Sequence, residues 1–145
     1  MKLYTKQELI EMWKRTPERQ IQVMQAKIFE AINITKGKIA VCFSGGKDSA
    51  LLLFQTAYIW KTIYNDTPLV VCFADTTNEH CLTKKYIKEF IPFIENKFSI
   101  KIDFRITKPT NKDGKYQSFA TVIKEIGLPI ISKSVSMAVR KLRKA

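Results

Sequence analysis

Ser44-Gly45-Gly46-Lys47-Asp48-Ser49 is the stretch on which the reading of this chain turns. Before it, Lys38 to Phe43 is a short apolar run that reads as a buried strand. After it, Ala50 to Tyr64 is apolar on nearly every face and reads as a buried helix. Strand, glycine-rich turn and helix in that order present backbone N–H groups to a phosphate or similar anion. Gly45 and Gly46 let the backbone curl tightly and the anion come close, with a positive φ expected at Gly46. Lys47 adds a mobile positive charge. Asp48 and Ser49 fall where the helix should start, with side chains able to cap its free N–H groups. The common P-loop is excluded, because it needs a glycine where this chain has Val41 and a Ser or Thr where it has Asp48.

Downstream, Asn65-Asp66-Thr67-Pro68 signals a turn, and Leu69 to Ala74 is a continuous apolar run that reads as a second buried strand. Continuous apolarity predicts a parallel sheet covered on both faces. That strand ends at Asp75-Thr76-Thr77-Asn78-Glu79. In an open parallel sheet ligands bind beyond the carboxyl ends of the strands, so Ser44 and Asp75 are expected at one edge. Asp75 there could hold a metal ion, a ribose hydroxyl or an attacking group; Asp75, Thr77 or Asn78 could instead cap the next helix.

Leu82, Tyr86, Phe90 and Ile94 share one face of a helix expected from Cys81 to Phe98, which Pro92 should kink or split. Ile100 to Ile106 alternates apolar and polar residues and reads as a half-exposed strand nearer the sheet edge. Thr107 to Lys115 is a loop. Ser118 caps a short helix that Gly127 ends. A last helix is expected from about Ser134 to Arg143, with Val135, Ala138, Val139 and Leu142 on its apolar face. At the other end, Thr5-Lys6-Gln7-Glu8 fits a capping box, and Thr16-Pro17 starts a second amphipathic helix running to about Asn33.

A length of 145 residues points to one globular domain. No apolar run reaches the ~18 residues of a membrane span, and the N-terminus has no apolar signal core; a cytoplasmic protein without membrane contact is expected. The three cysteines, Cys42, Cys72 and Cys81, lack disulfide or zinc spacing. Cys42 and Cys72 read as buried thiols, and Cys81 lies near a helix start beside the candidate site. Net charge is +12, which favours anionic partners: nucleotides, phosphates, sulfate or nucleic acid.

Val41 to Ser49 resembles the pyrophosphate-binding loop (PP-loop) of the phosphoadenosine phosphosulfate (PAPS) reductase family, in the adenine-nucleotide alpha-hydrolase-like superfamily. Asp75-Thr76-Thr77-Asn78-Glu79 resembles that family's Asp-Thr-Gly-x-Glu element, with Thr77 where glycine is usual. Gly127-Leu128-Pro129-Ile130-Ile131-Ser132-Lys133 looks like a third element of a bacterial and phage branch. The resemblance spans about residues 35 to 140.

It implies an α/β, three-layer Rossmann-like fold with a mostly parallel sheet, an N-terminal helical segment over 1–36 and a nucleotide-binding unit over 37–145. Carried over, Ser44, Gly45, Gly46, Lys47, Asp48 and Ser49 would cradle the phosphate or sulfate end of ATP or phosphoadenylyl sulfate. Asp75, Glu79 and Lys133 would complete the site. Lys47, Asp48 and Asp75 would be catalytic, and Asp48 and Asp75 would be ligands for Mg2+. The implied activity is that of an oxidoreductase or transferase in sulfur metabolism, or an ATP pyrophosphatase. No Cys follows Cys81 in these 145 residues, so thiol-based sulfate reduction through a C-terminal Cys is not expected of this stretch by itself. A non-catalytic nucleotide-binding module and a PP-loop protein acting on tRNA or DNA are the alternatives. A homodimer or a partner protein that completes the site is the expected assembly.

Overall fold

The computed structural model describes residues 4–64, 66–111 and 113–127. The expected helix from Ser134, and Lys133 with it, lie outside the described residues. The order of elements is α1 (Lys6–Trp13), α2 (Pro17–Ile34), β1 (Ala40–Cys42), α3 (Lys47–Ile63), β2 (Leu69–Ala74), α4 (Cys81–Phe98), β3 (Ile102–Thr107) and α5 (Phe119–Ile126). The chain is therefore an α/β protein in which a three-stranded parallel sheet, ordered β1-β2-β3, alternates with helices and follows two N-terminal helices. Among the described residues no helix is long and apolar enough to cross a membrane.

Local chemistry sets the helix starts. Thr5 and Glu8 form the expected capping box on α1, and Thr16 caps α2 with Pro17 in its first turn. Ser118 accepts from the Thr121 N–H at the start of α5. α4 begins where expected, but its cap is His80, whose Nδ1 accepts from the Leu82 N–H; Asp75, Thr77 and Asn78 do not cap it. Pro92 sits inside α4, which runs unbroken through it.

The core lies on one face of the sheet. Ile28 and Ile32 from α2, Leu53, Ala57 and Trp60 from α3, and Ile87, Ile91, Ile94 and Phe98 from α4 bury Val41, Leu69, Val71 and Phe73. The Trp60 indole N–H donates to the Thr67 carbonyl at 2.8 Å, which fixes the turn between α3 and β2. The Gln25 amide donates to Gln55 Oε1 at 2.8 Å across the α2–α3 seam.

On β2 burial alternates: Leu69, Val71 and Phe73 are buried, Val70 and Cys72 half-buried, Ala74 exposed. Ala40 and Cys42 on β1 are exposed as well. Among the described residues the sheet is thus covered on one face, where continuous apolarity had predicted cover on both. The open-face residues are small or weakly polar, so a run can look uniformly apolar and still alternate in the fold. α3 departs similarly. It starts at Lys47, and although it is apolar nearly all round, Leu51, Leu52 and Tyr58 are exposed.

Candidate functional site

β1 delivers the glycine loop to the carboxyl edge of the sheet. The Phe43 N–H donates to the Cys72 carbonyl at 2.8 Å, and the Phe43 ring, 1% exposed, stacks on Phe90 at 5.4 Å. The last residue before the loop is therefore clamped on both its backbone and its side chain. Gly45 takes φ +77°, and a Cβ there would lie 2.9 Å from Thr83 Cγ2 and 3.2 Å from Ile87. Both its conformation and its close approach to α4 require glycine. Gly46, expected to carry the positive φ, is instead extended at φ −81° and ψ 160°. A Cβ there would meet only Ser44 Oγ, at 3.5 Å.

Gly46 is also the N-cap of α3, so no side-chain hydrogen bond caps this helix. Asp48 lies within the first turn, where its charge favours the helix dipole, and does not cap. Ser49 turns inward: its hydroxyl donates to the Gly46 carbonyl at 2.9 Å and accepts from the Ser44 N–H at 3.3 Å. Because that hydroxyl has one proton, Ser44 Oγ is the donor in the 3.0 Å contact between the two serines. The Gly46 N–H in turn reaches Ser44 Oγ at 3.4 Å. Two serines thus hold the loop's shape from within, while Lys47 and Asp48 stay exposed.

The second loop, after β2, is satisfied by its own partners. Asp75 Oδ2 pairs with the Lys84 ammonium at 2.9 Å, and Oδ1 accepts from the Thr77 N–H at 2.9 Å. The Lys84 hydrogen bond, then the Thr77 N–H, hold the Asp75 carboxyl below its ordinary range, with Lys108 adding a smaller pull. Thr77 has φ +67°, a left-handed conformation uncommon for a β-branched residue. Its hydroxyl accepts from the Phe119 N–H at 2.7 Å and so ties this loop to α5. Glu79 Oε1 accepts from the Thr76 hydroxyl at 2.9 Å.

Ser44 and Glu79 share one cavity of about 370 Å³ at this edge, also lined by Cys42, Phe43, Cys72, Phe73, Ala74, Thr76 and Thr107. Asp75 lines a different cavity of about 230 Å³, with Phe73, Lys84, Ile87, Lys88, Phe104 and Ile106. The expected residues therefore divide. Ser44 and Glu79 face the first cavity, Gly45, Gly46 and Ser49 shape its loop, Lys47 and Asp48 point to solvent, and Asp75 turns toward α4. Of the two expected magnesium ligands, Asp75 has both oxygens engaged and Asp48 is exposed, and no group of three or more His, Cys, Asp or Glu residues able to hold a metal occurs among the described residues.

The residues that sequence reasoning missed are Thr83, Lys84 and Ile87 on α4. Thr83 and Ile87, at i and i+4 on one helix face, meet Gly45, while Lys84, one residue on from Thr83, reaches Asp75; the spacing is a signal, but nothing in the sequence says which loop each side chain meets. The cysteine expectation also changes. Cys42 is exposed and Cys72 half-buried on the open sheet face, where both were expected in the core.

No family model matches the chain, and no similar curated protein or solved structure was found.

Proposed function

We propose that the chain binds the phosphate or sulfate end of an adenine nucleotide at the 44–49 loop, and acts in nucleotidyl or sulfur transfer as a PP-loop protein of the PAPS reductase type. The carrying observation is that Gly45, at φ +77° and pressed against Thr83, leads directly into an α3 N-terminus without a side-chain cap. Backbone N–H groups without a side-chain partner, a helix dipole and the exposed Lys47 together favour an anion in front of the loop. The 370 Å³ cavity beside Ser44 lies within the ordinary range for a small-molecule site. In this reading the sheet belongs to a three-layer Rossmann-like fold, and Lys47 offsets charge on the bound group while Ser44 and Ser49 preset the loop. Magnesium, if carried in by ATP, would be held chiefly by phosphate oxygens, and no step is assigned to it.

Calorimetric titration with ATP and magnesium, phosphoadenylyl sulfate and inorganic sulfate tests this. Binding of one nucleotide that Lys47→Ala weakens at least several-fold is expected, and the preferred nucleotide separates adenylating from sulfur chemistry. Binding of none of the three would overturn the reading. The +12 charge supports a second reading, a PP-loop protein acting on nucleic acid. It predicts RNA or DNA binding that falls steeply with salt.

A further inference from the structure

We propose that Cys42 and Cys72 form a two-thiolate site for a single soft monovalent cation of the Cu(I) class. The two residues are register partners on neighbouring parallel strands, and the Phe43 N–H bond to the Cys72 carbonyl pins that register beside them. Alternation places both on the sheet face opposite the core. Both line the 370 Å³ cavity, Cys42 exposed and Cys72 half-buried, and neither is in a disulfide.

The spacing of the strands allows the two thiols to act together. Neighbouring strands stand about 4.8 Å apart, which brings registered side chains on one face within reach of each other, and both thiols are free. A direct S–S bond would need a two-electron oxidant, whereas a bridging ion needs none. Two metal–sulfur bonds of about 2.3 Å each join sulfurs up to about 4.6 Å apart.

The donor set then selects the ion. Thiolates favour soft metals, while calcium and magnesium require oxygen ligands. Structural zinc takes four ligands, and no third His, Cys, Asp or Glu joins the pair in a metal-binding group among the described residues. Two thiolates alone suit a closed-shell ion content with two ligands. Arg105, the register partner of Cys72 on β3, does not oppose the cation with a bare charge, because Asp103 pairs with it at 2.6 Å. Binding changes no oxidation state: two S–H bonds break, two metal–sulfur bonds form, and two protons pass to solvent. Affinity therefore rises with pH.

The site stands on the thiols and not on the glycine loop, so it is tested separately from nucleotide binding. The full chain is titrated without oxygen against Cu(I) bicinchoninate. The wild type is expected to withdraw one Cu(I) per chain. Cys42→Ser and Cys72→Ser should each lower the affinity by well over an order of magnitude, whereas Cys81→Ser and Lys47→Ala should leave it unchanged. Failure to withdraw copper overturns the proposal, as does capture that survives either strand substitution or depends on Cys81. Should a serine variant unfold by circular dichroism, X-ray absorption of the copper-loaded wild type decides. Two sulfur neighbours support the site, and nitrogen or oxygen neighbours overturn it.

Discussion

The loops after β1 and β2 leave the same edge of the same sheet and solve one backbone problem differently. Each needs a residue in the left-handed region. The first supplies Gly45 at φ +77° and leaves a helix start without a side-chain cap. The second supplies Thr77 at φ +67° and turns its polar groups on itself: Asp75 to Lys84 and the Thr77 N–H, Thr77 to Phe119, Thr76 to Glu79. A loop with backbone donors to spare can receive a ligand, whereas one whose groups are paired mainly holds elements together. Two loops at the same ends of neighbouring parallel strands therefore differ in what their polar groups are free to do, and the contrast can be broken by substitution.

The largest effect is expected at Gly45. Gly45→Val places a β-branched side chain at positive φ and drives Cβ into Thr83 and Ile87, so it should cost about 2–5 kcal/mol in urea unfolding. Gly46→Ala, one residue on, should cost less than about 1 kcal/mol, because its backbone is ordinary and its Cβ meets open contact. Equal losses at the two positions would erase the distinction between them.

Asp75 comes next. Asp75→Asn removes a half-buried ion pair and should cost about 1–2 kcal/mol at neutral pH, the lower part of the range for charged hydrogen bonds because Lys84 is partly solvated. The sign with pH follows from the lowered folded pKa. Asp75 contributes fully above its unfolded value, and the contribution disappears as pH falls through the folded value. The gap between wild type and variant, measured by thermal unfolding, should therefore close in acid. A gap that widened there would remove the Lys84 pairing as its cause. If Asp75 served the ligand and not the fold, the variant would lose binding with little change in stability.

Much of this contrast was hidden in the sequence, for local reasons. β2 and α4 were legible to the residue, because Leu69 to Ala74 is unbroken and the Leu82-Tyr86-Phe90-Ile94 stripe has a single period. The caps on α1, α2 and α5 were legible because they are contacts within a few residues. The glycine that carries positive φ was not, since Gly45 and Gly46 are identical in composition and only the approach of Thr83 from α4 tells them apart. Asp75 read as facing the ligand because strand ends point that way, yet strand alternation turns it with Val71 and Phe73 toward α4 and Lys84. Cys42 and Cys72 read as buried because a thiol resembles an apolar residue in a hydrophobic run. Whether that side of the sheet is covered depends on elements far along the chain.

The smallest effect is expected at Thr77, and it tests the second loop most directly. Thr77→Gly relieves a β-branched residue at positive φ, worth about 1–2 kcal/mol, but removes the hydroxyl that accepts from the Phe119 N–H, worth about 1 kcal/mol. The two terms oppose each other, so the measured change should lie within about 1 kcal/mol of zero. Thr77→Ala keeps a Cβ at positive φ and loses the same hydrogen bond, so it should be less stable than Thr77→Gly by about 1 kcal/mol or more. The difference between the two variants isolates the backbone term, because the lost hydroxyl is common to both. Were Thr77→Ala the more stable, conformational strain at this position would not be what separates the second loop from the first, and the Phe119 tether would have to account for the threonine alone.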